Sequence, residues 1–217
     1  MKHNWVWVAV TLGILFLLLT ITVNLRVWQT FDWESLTALQ AGLPRALDLP
    51  FSVLSLVGSA EVTGMTFLVI VFWARPARRV PFILAFGVAT LIELIGKTLV
   101  NQPLTPHYLL RYVSLMPILS AGVHPGFSYP SGHALRATFI VIGLIEMLAV
   151  SRLRRAPKIA LGALLLSFEA VMLVSRVYLA EHWLTDVIGG ALLGAAFGLL
   201  ALVCKINLRA PFLRQLL

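Results

Sequence analysis

Two histidines and an aspartate carry the strongest chemical signal in this sequence of 217 residues. His182 and Asp186 are four residues apart, a spacing that puts two side chains on one face of a helix. The carboxylate can then accept a hydrogen bond from one imidazole nitrogen and leave the other nitrogen as a nucleophile. A second histidine, His133, has an imidazole of the kind that protonates leaving groups near neutral pH.

Groups that can bind an anion accompany these histidines. The stretch Pro-Ser-Gly-His at 130–133 opens a predicted helix, and a helix N-terminus offers backbone N–H groups to an anion. Lys97 and Arg176 add two fixed cations. The whole set predicts a site for a tetrahedral anion that one histidine attacks while the other protonates the departing group.

Composition places this chemistry in a membrane. Hydrophobic residues make up 59% and charged residues 12% of the chain, whereas soluble domains have about 45–50% and about 25%. These values exclude an ordinary soluble globule and a disordered chain. We therefore predict an all-α, polytopic membrane protein, a bundle of six transmembrane helices that forms a single domain over residues 1–217. The predicted spans are 5–23, 49–74, 80–100, 130–150, 158–176 and 186–204, with the crossing part of the second beginning near Ala60.

Two segments between the spans are more polar than the rest. Residues 31–50 combine charges with prolines and predict an interfacial helical segment after the first span. Residues 101–129 contain four prolines and predict a long loop, with a short helix near 108–116.

The charge pattern predicts the orientation of the bundle. The chain has 17 basic and 9 acidic residues, a formal net charge of +8. Nucleic-acid binding requires basic residues that cluster on a polar surface, but here they fall in short runs between apolar segments, so no nucleic-acid partner is predicted. If the spans alternate, 11 basic residues share one face, which the positive-inside bias makes cytoplasmic together with both termini. They are Lys2, Arg75, Arg78, Arg79, Arg152, Arg154, Arg155, Lys158, Lys205, Arg209 and Arg214.

Four chain intervals connect these basic loops with the residues of the predicted site. Each interval is 18 or 19 residues long, and at about 1.5 Å per helical residue it covers roughly one membrane thickness. The residues of the site are therefore predicted to lie at one level, at the outer end of the bundle. The intervals are 79–97, 133–152, 158–176 and 186–205.

Two motifs resemble signatures of the type 2 phosphatidic acid phosphatase (PAP2) superfamily. The third signature of that family is similar to a pattern in this chain that consists of Ser175-Arg176, five residues, His182, three residues and Asp186. Pro-Ser-Gly-His at 130–133 is similar to the second. The resemblance covers residues 93–190 tightly and the rest of the chain only as architecture.

The resemblance implies a role for each residue of the site. His182 would form a phosphohistidine intermediate and be held by Asp186, and His133 would act as a general acid and then activate water. The family needs no metal ion, and the resemblance implies no cofactor. The implied phosphate-binding residues are Lys97, Ser131, Gly132 and Arg176.

The first signature of the family is incomplete in this chain. The family has a lysine followed after six residues by Arg-Pro; Lys97 is present, but Leu104 stands where the arginine belongs. His107 and Arg111 follow within a few residues and are candidates to contact the same phosphate.

Two neighbouring charges bear on the same site. Glu93 precedes Lys97 by one helical turn, so an ion pair between them is an alternative to phosphate binding by the lysine. Arg136 follows His133 by about one turn and is expected to support the site from below.

These observations predict a membrane-embedded lipid phosphatase of a bacterial-type inner membrane, with its site on the periplasmic side and a lipid phosphate from the bilayer as substrate. The expected substrates are undecaprenyl pyrophosphate, phosphatidylglycerol phosphate, phosphatidic acid or a lipid A phosphate. Two alternatives remain open. The same phosphohistidine could pass its phosphate to a lipid or sugar hydroxyl, or the chain could bind or transport phosphorylated lipids without catalysis. The sequence does not set the oligomeric state.

Overall fold

The structure, a computed structural model, describes residues 2–74, 76–113 and 126–204. Within these ranges the chain is helical and contains no β-strand, as predicted. Two short 3₁₀ turns, Arg45–Leu47 and His107–Leu109, accompany the α-helices. The helices are α1 (Lys2–Asn24), α2 (Gln29–Gly42), α3 (Asp48–Val57), α4 (Ala60–Trp73), α5 (Pro76–Leu99), α6 (Gly132–Val150), α7 (Arg155–Tyr178) and α8 (Leu184–Val203).

The membrane spans correspond to the predicted ones. Helices α1, α5, α6, α7 and α8 are each long and apolar enough to cross a membrane. Helices α3 and α4 pass the same test as a pair that is bent by 46°. At the bend, the hydroxyl oxygen of Ser59 accepts a hydrogen bond from the Val62 N–H and caps α4, which begins at Ala60. Counted as one span, the bent pair gives the sixth crossing.

Large apolar side chains cover the outer faces of these helices. Leu17 in α1, Leu68 in α4 and Leu164 in α7 are all more than half exposed. Water would disfavour an apolar surface of this extent, whereas lipid tails solvate it. The exposed belt therefore agrees with a bundle that is embedded in a bilayer.

Helix α8 occupies the centre of the bundle and packs against α1, α5 and α6. Glycines of α8 let α6 come very close: a Cβ on Gly190 would lie 2.2 Å from the Ser131 carbonyl oxygen, and one on Gly194 would lie 2.3 Å from that of Leu135. Only residues without a side chain permit this approach. The two helices begin at the same end of the bundle, so their N-terminal turns lie side by side.

The segment predicted to be interfacial contains α2, the first 3₁₀ turn and the start of α3. Asp32 of α2 is buried and accepts hydrogen bonds from the Thr185 backbone N–H at 2.9 Å, the Thr185 hydroxyl at 2.7 Å and the Gln102 side-chain amide at 3.0 Å. Thr185 is the second residue of α8, so α2 supplies a cap to the central helix. Burial raises the pKa of Asp32.

The loop between α5 and α6 differs from its prediction in one detail. Of the short helix expected near 108–116, the part up to residue 113 contains only the 3₁₀ turn His107–Leu109, because Leu110 adopts an extended conformation. The Arg111 N–H then donates to the Leu179 carbonyl at 3.1 Å, which ties the chain to the end of α7. Residues 114–125 lie outside the described ranges.

Candidate active site

His182 and Asp186 form the predicted pair, but not on one helical face. Because α8 begins at Leu184, His182 lies in the connection that precedes it. Its Nδ1 is 3.3 Å from Asp186 Oδ2, and the same oxygen accepts a hydrogen bond from the Trp183 N–H at 3.0 Å. Asp186, which is completely buried, thus caps the first turn of α8 and holds the imidazole with a single carboxylate oxygen.

This contact decides which nitrogen of His182 is available for chemistry. An ionised carboxylate can only accept a hydrogen bond, so Nδ1 carries the proton. The other nitrogen, Nε2, then has a lone pair and makes no hydrogen bond within the described part of the chain. A neutral imidazole in this tautomer is a nucleophile at Nε2.

The N-terminus of α6 lies directly beside this pair. The Ser131 N–H donates to the Asp186 carbonyl at 2.9 Å, and the Ser131 hydroxyl oxygen caps α6 by accepting from the Ala134 N–H at 3.4 Å. The N–H groups of Gly132 and His133 have no partner in residues 126–204 or in the two other described ranges. Two unpaired donors at a helix N-terminus are suited to an anion.

A buried carboxylate, Glu93, lies under this N-terminus and holds two cations. Its Oε1 is 3.2 Å from Lys97 Nζ, and its Oε2 is 3.1 Å from Arg136 NH1. The Glu93–Lys97 ion pair, which the sequence offered as an alternative to phosphate binding by the lysine, is therefore present. A Cβ on Gly132 would lie 2.0 Å from Glu93 Oε1, so glycine at 132 is what allows the carboxylate to reach this position.

His133 lies among these charges. The charges of Lys97, Arg136 and Arg176 all act on its imidazole. A Cβ on Gly58, at the bend between α3 and α4, would lie 3.0 Å from His133 Cδ2. The structure therefore brings the predicted residues together at one end of the bundle, where α5 and α7 end and α6 and α8 begin.

Arg176 is completely buried, and all three of its guanidinium nitrogens donate hydrogen bonds. Nε and NH2 donate to the Ser175 hydroxyl at 3.2 and 2.8 Å, NH2 also donates to the Phe51 carbonyl at 3.4 Å, and NH1 donates to Ser55 and Glu181. Sequence reasoning missed Ser55 and Glu181. One signal for Glu181 was available in the sequence. It is an acidic residue next to the predicted nucleophile, inside a motif that is expected to bind an anion.

With this geometry established, the sequence comparison decides the family. Residues 78–210 match the sequence model of the PAP2 superfamily. The chain belongs to the PAP2 superfamily. The matched region runs from the start of α5 beyond the end of α8 and contains every residue of the predicted site. The protein is accordingly a PAP2-type phosphatase, a hydrolase of phosphoric monoesters. Among curated proteins, none matches the sequence.

Two solved structures resemble this PAP2 protein in fold. The transmembrane PAP2-type phosphatidylglycerolphosphate phosphatase from Bacillus subtilis gives a TM-score of 0.70 at 20% identity, over 89% of this chain and 93% of that chain. LpxE from Aquifex aeolicus gives a TM-score of 0.57 at 26% identity, over 78% of this chain and 93% of that chain. The helix bundle is therefore that of transmembrane PAP2 proteins.

The two candidates for the missing arginine of the first PAP2 signature, Arg111 and His107, make no hydrogen bond or ion pair with the other predicted site residues in the described part of the chain. Arg111 donates to the Tyr178 hydroxyl and to the Gln40 carbonyl, both at 3.0 Å, and its guanidinium also stacks on the Tyr178 ring. His107 is exposed, and its side chain makes no hydrogen bond or ion pair with the described residues. Leu104, at the position of the arginine itself, is also exposed.

The donor set of the site consists of cations and N–H groups. Within the described ranges, no three His, Cys, Asp or Glu side chains come together as ligands for a metal ion. Among the described residues, Lys97, Arg136 and Arg176 are positive charges that act on His133. Such a set can bind an oxyanion and stabilise charge that develops on it.

Proposed function

We propose that this PAP2 protein hydrolyses a phosphomonoester or pyrophosphate of a membrane lipid through a phosphohistidine intermediate on His182. The contact between His182 Nδ1 and Asp186 is the observation that supports this proposal, because it leaves Nε2 as a nucleophile. The His182–Asp186 pair lies beside the N-terminus of α6, through the bond from the Ser131 N–H to the Asp186 carbonyl, and this N-terminus can hold the phosphate to be attacked.

In the first step, Nε2 of His182 attacks the phosphorus, and a P–N bond forms as the P–O bond to the lipid breaks. His133 gives its proton to the leaving oxygen, so that an alcohol, or a lipid monophosphate from a pyrophosphate, departs. Asp186 stabilises the positive charge that the His182 ring acquires.

In the second step, His133 takes a proton from a water molecule, whose oxygen attacks the phosphorus. The P–N bond breaks, inorganic phosphate departs, and the electron pair of that bond returns to Nε2 of His182. His133 is again protonated, so both histidines recover their starting states.

The phosphate oxygens would be bound by donors that surround this position. The N–H groups of Gly132 and His133 are unpaired, and the Ser131 hydroxyl, which accepts from Ala134, still has its own proton to donate. Lys97 and Arg176 would supply charge, which strengthens such hydrogen bonds.

The substrate is proposed to be a lipid whose tail stays in the bilayer, because the site lies at one end of a bundle with a lipid-facing apolar belt. Undecaprenyl pyrophosphate, phosphatidylglycerol phosphate, phosphatidic acid and a lipid A phosphate all have this form. The opposite end of the bundle carries the arginines at the start of α5 and between α6 and α7. The positive-inside bias makes that end cytoplasmic, so the site would face the periplasm of an inner membrane.

Phosphate release from these four lipids by the purified protein tests the activity. His182→Ala should abolish release from every lipid that the wild type hydrolyses, with an unchanged unfolding temperature. Labelled phosphate trapped by alkaline quenching should map to the peptide that contains His182. Turnover by the His182→Ala variant at the wild-type rate would refute the mechanism. Release that requires an added lipid or sugar alcohol would identify a phosphotransferase instead.

Thiol labelling in intact cells tests the orientation. Cys204, the single cysteine, is exposed at the end of α8 that is far from the site, and Tyr108 is exposed in the loop on the site side. A membrane-impermeant maleimide should label a Tyr108→Cys variant that also carries Cys204→Ser. It should not label Cys204 of the wild type until the cells are lysed. The reverse pattern would place the site in the cytoplasm.

A further inference from the structure

We infer that Arg136 binds the substrate phosphate in place of the arginine that the first PAP2 signature lacks, and that Glu93 positions it for this role. The inference rests on the proposed phosphatase function. It gives Arg136 a direct contact with the substrate, whereas the sequence suggested only support from below.

The first observation is the direction of the Arg136 side chain. Side chains on an α-helix lean towards its N-terminus, so a residue in the second turn can reach the first. Arg136 does so: its NH1 lies 2.9 Å from the position that a Cβ of Gly132 would occupy. The guanidinium is therefore level with the unpaired N–H groups at the start of α6, not below them.

The second observation is the number of donors that the two arginines have left for a ligand. In Arg176 all three nitrogens donate to Ser55, Ser175, Glu181 or the Phe51 carbonyl. In Arg136, NH1 donates to Glu93, whereas Nε is buried without a partner in the described part of the chain. Buried donors are rarely left unpaired, and a guanidinium presents its donors in a planar fork that matches a phosphate.

The third observation is accessibility. The side chains of Arg136 and Lys97 are 14% and 16% exposed, whereas that of Arg176 is 0% exposed. Arg136 and Lys97 are thus more accessible to a ligand than Arg176 is. Arg176 must first give up part of its internal hydrogen bonding.

Glu93 explains how Arg136 and Lys97 remain in place before the phosphate arrives. One carboxylate bridges both, through Oε1 to Lys97 and through Oε2 to Arg136. Two cations share one anion, so the group keeps one excess positive charge beside the N-terminus of α6. A helix N-terminus and this excess charge both favour a bound oxyanion.

Calorimetric titration with inorganic phosphate tests the inference without requiring turnover. The samples are the purified wild type, Arg136→Met, Arg136→Lys and a matched control, Arg78→Met. Arg78 is also an arginine ion-paired to a glutamate, Glu146, but it lies at the opposite end of the bundle. We expect Arg136→Met to weaken phosphate binding about 10- to 100-fold, because a charged, forked contact is lost. The phosphate affinity of Arg136→Lys should lie between those of the wild type and Arg136→Met. Arg78→Met should bind phosphate as the wild type does.

Phosphate affinity of Arg136→Met within twofold of the wild type would overturn the inference, even if the variant unfolds at a lower temperature. If Arg136→Met does not fold, Arg136→Lys decides: it keeps the charge but loses the fork, and a loss below twofold would overturn the inference. A wild type that binds phosphate through Arg136 but hydrolyses none of the four lipids would refute the proposed hydrolysis alone. A wild type that does not bind phosphate would refute the role of Arg136.

Discussion

The Arg176 guanidinium donates to the carboxylate of Glu181, the residue directly before His182. Arg176 is the arginine that the third PAP2 signature implies as a phosphate ligand, yet it is buried and already paired with Glu181. An entering phosphate must therefore share Arg176 with Glu181 or displace it. Phosphate affinity should depend on the strength of this internal pair.

Replacement of Glu181 by glutamine should lower the stability of the protein without phosphate and increase the stabilisation that added phosphate gives. The variant keeps an oxygen that can accept from Arg176 but loses the charge, so a buried cation remains without a counter-ion. We expect the phosphate-free protein to unfold with about 1–3 kcal/mol less stability. Phosphate should then stabilise Glu181→Gln more than it stabilises the wild type, because the anion restores the lost charge. Thermal unfolding with and without phosphate measures both effects.

Glu34→Gln is the control for this variant, because Glu34 is an exposed acid of α2 whose side chain makes no ion pair with the described residues. It should unfold as the wild type does at every phosphate concentration. If phosphate stabilises Glu181→Gln no more than the wild type, Glu181 does not compete with the ligand for Arg176.

Asp186→Asn should weaken the nucleophile without removing the histidine. The asparagine oxygen can take the place of Oδ2 and accept from both the Trp183 N–H and His182 Nδ1, but it carries no negative charge. The positive charge that the His182 ring acquires when Nε2 attacks then lacks its stabilising anion. We expect kcat to fall by about two to four orders of magnitude while the variant still folds. Steady-state phosphate release measures this, and a loss below tenfold would mean that the charge of Asp186 does not stabilise the His182 cation.

Much of the site could be predicted because the residues of each motif are close together in the sequence. The spacing of His182 and Asp186, the Pro-Ser-Gly-His stretch and the distances from the basic loops all lie within single helices or their ends. They were sufficient to place Lys97, His133 and Arg176 at one end of a helical bundle, where the structure has them.

The missed contacts all join elements that are far apart in the sequence. Glu181 meets Ser55 of α3, Asp32 of α2 caps α8, and Gly58 touches His133. None of these pairs has a periodic or spacing signal, because each depends on how separate helices pack. For the same reason the sequence left Arg111 as a candidate to contact the phosphate, whereas in the fold its side chain is hydrogen-bonded to Tyr178.

Gly58 should act on catalysis through His133. A methyl group at position 58 would lie 3.0 Å from His133 Cδ2 and 3.5 Å from Met172 Sδ, so the imidazole must shift by a few tenths of an ångström. We expect Gly58→Ala to lower kcat about 3- to 30-fold with little change in KM, because the proposed general acid is displaced while the proposed phosphate-binding groups are not.

Gly64→Ala is the matched control for Gly58→Ala, because a Cβ at position 64 in α4 meets nothing within 4 Å. It should have the wild-type kcat and equal or slightly higher stability, since alanine favours helix. Equal kcat values for the two variants would mean that the ring of His133 tolerates the displacement.

Because of Asp32, the stability of the bundle should fall as the pH rises. Burial raises the pKa of Asp32 above its usual value of 3.8, so the native state takes up this proton more readily than the unfolded state. The contribution of the group to stability is therefore complete below pH 3.8 and declines as the pH rises through the raised pKa. Asp32→Asn cannot titrate, so its unfolding temperature should improve relative to that of the wild type across this window. Thermal unfolding of both proteins in the same detergent, from pH 3.5 upwards at about half-unit steps, measures the difference. A difference that does not change with pH would mean that the Asp32 carboxyl has the same pKa in both states.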